Sequence, residues 1–110
     1  MKQNLGFYNK AELISFLEAV IYNIGVTEKR AYFVERVKEE IGFTNSDYQS
    51  TFYNQISKTS LETILMYIKD FSDENKVIAK SYLLELISCD PYSPISKIGM
   101  SKILKLSKEL

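Results

Sequence analysis

Residues 9–25 read NKAELISFLEAVIYNIG, and their order sets the terms for the rest of the chain. Asn9 with Glu12 three residues later has the pattern of a capping box, in which each side chain takes one of the orphan amides of a helix start. Leu13, Phe16, Leu17, Val20, Ile21 and Ile24 then recur at the i, i+3, i+4, i+7 spacing that lines one face of a 3.6-residue turn. Gly25 follows, the residue type that most readily takes the left-handed conformation closing a helix. Cap, apolar stripe and breaker together predict an amphipathic helix.

The same order recurs downstream. Thr27 is placed to cap a second helix, with Glu28 in its positive first turn, Phe33, Val34, Val37 and Ile41 inward, and Gly42 at its end. Thr44 with Asp47 opens a shorter third segment carrying Tyr48, Phe52 and Ile56. Thr59 and Glu62 form the box of a fourth, with Leu61, Ile64, Leu65 and Ile68 on one side. Ser72 caps a fifth over residues 73–88, and Ser96 caps a last one carrying Met100, Ile103, Leu104, Leu106 and Leu110. No period-2 alternation competes, so the chain reads as all-α: a compact bundle of five to six helices. In the 73–88 segment Val77, Ile78, Ala79, Tyr82, Leu83, Leu84, Leu86 and Ile87 point in nearly all directions. A helix apolar all round is expected to be buried, so this one is expected at the centre.

Composition narrows the chemistry. The 110 residues contain 14 Lys+Arg against 14 Asp+Glu, one cysteine and no histidine. That length suits one helical domain, 1–110, and zero net charge gives no global field toward nucleic acid or membrane. Without histidine, Ser-His and Cys-His nucleophiles and His-containing zinc sites cannot be built. Glu35, Glu39 and Glu40 are interleaved with Arg36 and Lys38, the pattern of a solvated helix face and not of a catalytic carboxylate pair. No glycine-rich phosphate loop is present. The chain is therefore expected to be no enzyme and to need no cofactor. A lone Cys89 fits a reducing interior, and the first ten residues lack the apolar run of a signal peptide, so the expected location is cytoplasmic.

Phe16, Leu17, Val20 and Ile21 are echoed by Tyr82, Leu83, Leu86 and Ile87. Each segment is followed by a turn and a further amphipathic helix. This reads either as two related helical hairpins joined by a middle pair or as two ordinary amphipathic helices, since apolar residues at helical spacing match cheaply. The arrangement resembles the tellurite-resistance TerB-like family, an all-helical domain of two similar halves. The first half would run from Leu13 to Gly42 through the turn Tyr22-Asn23-Ile24-Gly25-Val26-Thr27-Glu28. The second would run from Val77 to Leu110 through Cys89-Asp90-Pro91-Tyr92-Ser93-Pro94-Ile95-Ser96. The resemblance covers about 100 residues, rests on helix order and spacing, and implies an interaction module in a stress- or envelope-associated assembly. Members with a proposed metal site carry carboxylates at both turns. Here Asn23 and Ile24 stand where an Asp is expected, and Gly99 where a second acid is expected, leaving only Glu28 and Asp90. No metal site is expected, because hard cations need several converging oxygens.

Two surfaces remain as candidates for partners. Tyr22, Tyr32 and Met66 fall nearly opposite their apolar stripes, which marks either a second packing layer or an exposed apolar surface that binds a protein partner, self or other; the second is the expectation. The last helix places Lys97, Lys102, Lys105 and Lys108 on one arc opposite its apolar face. Against Glu109 they give residues 91–110 a local charge of +3, the alternative being weak binding of nucleic acid or an acidic partner. A helix-turn-helix reading of residues 46–56 would offer Gln49, Ser50, Thr51, Asn54 and Gln55 to bases. That segment carries Asp47 and no Lys or Arg, so it lacks phosphate-neutralising charge. No small-molecule substrate is evident and no membrane insertion is expected, since the longest apolar run falls far short of the ~18 residues a span needs.

Overall fold

Hydroxyl side chains start four of the helices in the computed structural model, which describes residues 7–44, 47 and 60–110. The described helices are α1 (Phe7–Ile24), α2 (Glu28–Ile41), α3 (Leu61–Ile68), α4 (Asp73–Ser88) and α5 (Lys97–Glu109). No strand occurs among the described residues. Thr27, Ser60, Ser72 and Ser96 each accept a hydrogen bond from the backbone N–H three residues on, at 3.2, 3.2, 3.1 and 3.0 Å. Each such bond satisfies one of the donors that a helix start leaves open. At the other end of α2, Gly42 takes φ 71°. Its N–H reaches Glu39 O at 3.3 Å, and Phe43 N–H reaches Lys38 O at 2.9 Å. This pair of bonds is the Schellman closure.

Two starts differ from the sequence reading. α1 already runs from Phe7, so Asn9 is an interior residue. Glu12 accepts from the Asn75 amide at 3.1 Å. α3 is capped by Ser60, one residue later than Thr59, because the hydroxyl three positions before an open amide, here that of Thr63, makes the bond. For the segment opened by Thr44, the N–H and Oγ1 of Thr44 both donate to Asp47 Oδ2, at 2.7 and 3.0 Å. Tyr48, Phe52, Ile56 and the polar residues between them lie outside the described residues.

The larger correction concerns the centre. α1, not the 73–88 helix, is the hub: it packs against α2, α3, α4 and α5. Its residues Leu13, Ile14, Ser15, Phe16, Leu17, Ala19 and Val20 are all inaccessible to solvent. α4 covers one side of it. Ile78, Ala79, Tyr82, Leu83 and Leu86 face inward, while Val77 is 69% and Leu84 53% exposed. The physical reason is charge. Glu74, Lys80 and Glu85 are exposed on α4, and a helix that carries them cannot be enclosed without desolvating each one.

Edge-to-face aromatic pairs lock the layers together. Phe16 of α1 meets Phe71 at 6.3 Å between centroids, and Phe33 of α2 meets Tyr82 of α4 at 6.2 Å. The Tyr82 hydroxyl donates to Glu40 Oε2 at 2.7 Å. Burial, then that carboxylate, pushes the phenol's pKa well above its ordinary value. Lys38 joins α2 to α1: its stem is buried, and its ammonium lies 2.9 Å from Glu35 and 3.6 Å from Glu18. The echo between the two halves does not extend to packing. α2 folds back on α1, whereas α5 packs chiefly on α3.

Candidate functional site

The two turns picked out by the family resemblance meet in space. Arg30, in the first turn of α2, is only 3% exposed. Its Nη1 donates to Gly25 O at 2.9 Å, and its Nη2 donates to Ser93 O. One planar guanidinium thus spans the α1–α2 turn and the loop between α4 and α5, a task suited to its fixed fork of donors. Gly25 takes φ 114° there, a conformation that strongly favours glycine.

Asp90 fastens the same junction from the other side. A hydrogen bond with the Thr27 side chain first of all holds its carboxyl below the ordinary carboxylate value. The Tyr92 backbone and the charges of Lys29 and Arg30 act in the same direction. Lys29 Nζ sits 4.9 Å above the Tyr92 ring, a cation–π contact. Burial pushes the neighbouring Cys89 thiol up, with Arg30 opposing, so the sulfur is held as thiol and is a poor nucleophile.

These residues do not fit a divalent cation. Asp90 is engaged by Thr27 and the Tyr92 backbone, Glu28 is exposed, and the Asn23 amide donates to Ala19 O at 2.7 Å. A Cβ at Gly99 would lie 2.8 Å from Ile95 Cγ2 and 3.3 Å from Ser96 Oγ. An acid at that position would have to displace the Ile95 side chain. Arg30 supplies between the turns the positive charge that a cation would bring.

The three predicted partner residues are all more than half exposed and stand on three different helices, α1, α2 and α3. Tyr32 lies one turn after Lys29 on α2, so the two side chains are surface neighbours. Lys29 is also the residue that meets the Tyr92 ring. Tyr22 lies in the last turn of α1, and Val26, which adjoins the clasped Gly25, is exposed. Met66 is carried by α3, whose main packing partners are α1 and α5. The corner is therefore marked by Lys29 and Tyr92, with Tyr32 one turn along α2 from Lys29 and Val26 beside Gly25.

The lysine face is divided. Lys102 and Lys105 line a cleft of about 80 Å³ with Glu62, Leu65 and Leu106, and Lys102 lies 3.5 Å from Glu62. The Glu62 carboxyl is held low, first by a backbone hydrogen bond and then by Lys102. Lys97 sits in the first turn of α5 and Lys108 in its last, where a cation complements the helix dipole. An acid on α3 thus offsets part of the positive face.

Sequence reasoning missed Arg30, Lys29 and Tyr92. Arg30 carried a signal, since it falls on the inward stripe one turn before Phe33 and Val34. Tyr92 carried another: an aromatic ring between Pro91 and Pro94 belongs to no apolar stripe, and it is 85% exposed. The pairing of the two turns carried none, because it depends on where α4 ends in space. No protein family model, curated protein or solved structure matches the chain.

Proposed function

We propose that this chain is a non-enzymatic helical protein-interaction module of the cytoplasm, binding a protein partner through the corner of Tyr32, Lys29, Tyr92 and Val26. The observation that carries the reading is Tyr92, 85% exposed with Lys29 over its ring, on a corner that Arg30 holds in place and with exposed Tyr32 one turn along α2 from Lys29. Tyrosine offers large amphipathic area with few rotatable bonds, which is why it is enriched among residues that dominate binding energy. A corner already fixed by a buried guanidinium loses little freedom on binding. The unpaired Cys89 supports a reducing compartment. No helix among the described residues is long and apolar enough to cross a membrane. The TerB-like resemblance supplies a stress- or envelope-associated assembly as the setting. Weak binding of nucleic acid or an acidic partner through Lys97, Lys102, Lys105 and Lys108 is the less favoured reading, because Glu62 counters that face.

The test is quantitative capture from an extract of the source cells, with the wild type and a Tyr32→Glu/Tyr92→Glu variant in parallel. The expected result is a protein enriched by the wild type and lost with the variant at unchanged melting temperature. Equal recovery by both would overturn the assignment of the corner. Recovery that falls steeply with salt and follows the lysines would favour the alternative.

A further inference from the structure

The outer face of α4 presents a second surface, independent of the corner. Val77 and Leu84 lie two helical turns apart on the side opposite Ile78, Ala79, Tyr82, Leu83 and Leu86, and are 69% and 53% exposed. Ser81 and Ser88 complete the stripe at helical spacing. Ser88 Oγ donates back to Leu84 O at 3.1 Å and Glu85 O at 3.2 Å, so its hydroxyl is satisfied internally and the residue leaves a low surface. From Val77 onward the charges beside the stripe are segregated: at 100° per residue Lys80 falls on one flank and Glu85 on the other. Asp73 on the lysine side and Glu74 on the glutamate side stand in the first turn of the helix.

We propose that this face seats a second copy of the chain, the two α4 helices packed side by side and parallel. The charge pattern decides both occupant and direction. A two-fold axis along the helices sets the basic flank of one copy against the acidic flank of the other. Lys80 then meets Glu85 of the second copy at the five-residue offset of parallel helix pairs. An antiparallel pair would place Lys80 against Lys80 and Glu85 against Glu85. Val77 would meet Val77 and Leu84 would meet Leu84, as a self-complementary two-fold contact requires. One helix face buries less than the ~1,200 Å² of a standard interface, so the association is weak and reversible.

Sedimentation equilibrium from about 10 μM to about 1 mM reads this directly, a span that brackets weak association. The wild type is expected to shift from monomer toward dimer across that range. Lys80→Glu and Glu85→Lys alone each turn two attractions per dimer into repulsions and should raise the dissociation constant about tenfold. The double variant should return it to within about twofold of wild type, since the flanks are then exchanged and still complementary. The Tyr32→Glu/Tyr92→Glu variant should dimerise as the wild type does, which separates this surface from the corner. A wild type monomeric throughout, or a double variant no better than the singles, would overturn the proposal.

Discussion

α1 and α4 have similar sequence credentials and opposite positions. Both carry apolar residues well beyond a single stripe, yet α1 is enclosed and α4 is a cover. The difference lies in what becomes of their charges. On α1 the acids Glu12 and Glu18 lie at the margins of the core, met by the Asn75 amide at 3.1 Å and the Lys38 ammonium at 3.6 Å. On α4 Glu74, Lys80 and Glu85 face solvent, and Val77 and Leu84 are carried outward among them. Apolar count alone does not locate the centre of a small bundle. The centre goes to the helix whose few charges can be partnered at its edges.

The sharpest way to break this comparison is Phe16→Ala on α1. The side chain is fully buried and packs edge-on against Phe71, so truncation should cost about 3–5 kcal/mol of a total near ~5–15, read by urea unfolding. Leu83→Ala, on the inner side of α4, should cost less, in the lower part of the ~2–5 kcal/mol range, because α4 closes the core on one side only. If Leu83 exceeded Phe16, α4 would be the hub after all.

Asp90→Asn sharpens the account of how the chain leaving α4 is anchored. A carboxylate whose pKa is depressed on folding stabilises the fold above its unfolded value. It loses that contribution as pH falls through the lower folded value. The variant should therefore melt below wild type at neutral pH, and the gap should narrow as pH drops below 3.8, the ordinary aspartate value. A gap independent of pH would show that Asp90 acts through shape rather than charge. The smallest effect belongs to Leu84→Ala. Its exposure removes the cavity term, and unfolding measured at low protein concentration should change by no more than about 0.5 kcal/mol.

Much of the fold was legible in local chemistry. Thr27, Ser72 and Ser96 were recognisable as caps and Gly42 as a terminator, because those residues act on backbone groups within a few positions of themselves. The choice between α1 and α4 as centre was not, since it turns on pairs such as Glu12–Asn75 that lie 63 residues apart. The exposure of Tyr22, Tyr32 and Met66 followed from helical phase. The meeting of Lys29 with the Tyr92 ring did not, because phase says which way a side chain points and nothing about which segment stands beside it. The clasp at Arg30 shows the same limit. Its place on an apolar stripe was visible, while its partner Ser93 O required the loop after α4 to be in position.

Hydroxyl-radical footprinting of the wild-type protein, free and with its captured partner, tests the assignment of the corner most directly, since oxidation reports each exposed aromatic and methionine separately. Tyr32 and Tyr92 should lose reactivity together on binding, with Met66 labelled as in the free protein. Protection of Met66 with Tyr32 and Tyr92 unchanged would contradict the account and move the interaction surface to α3.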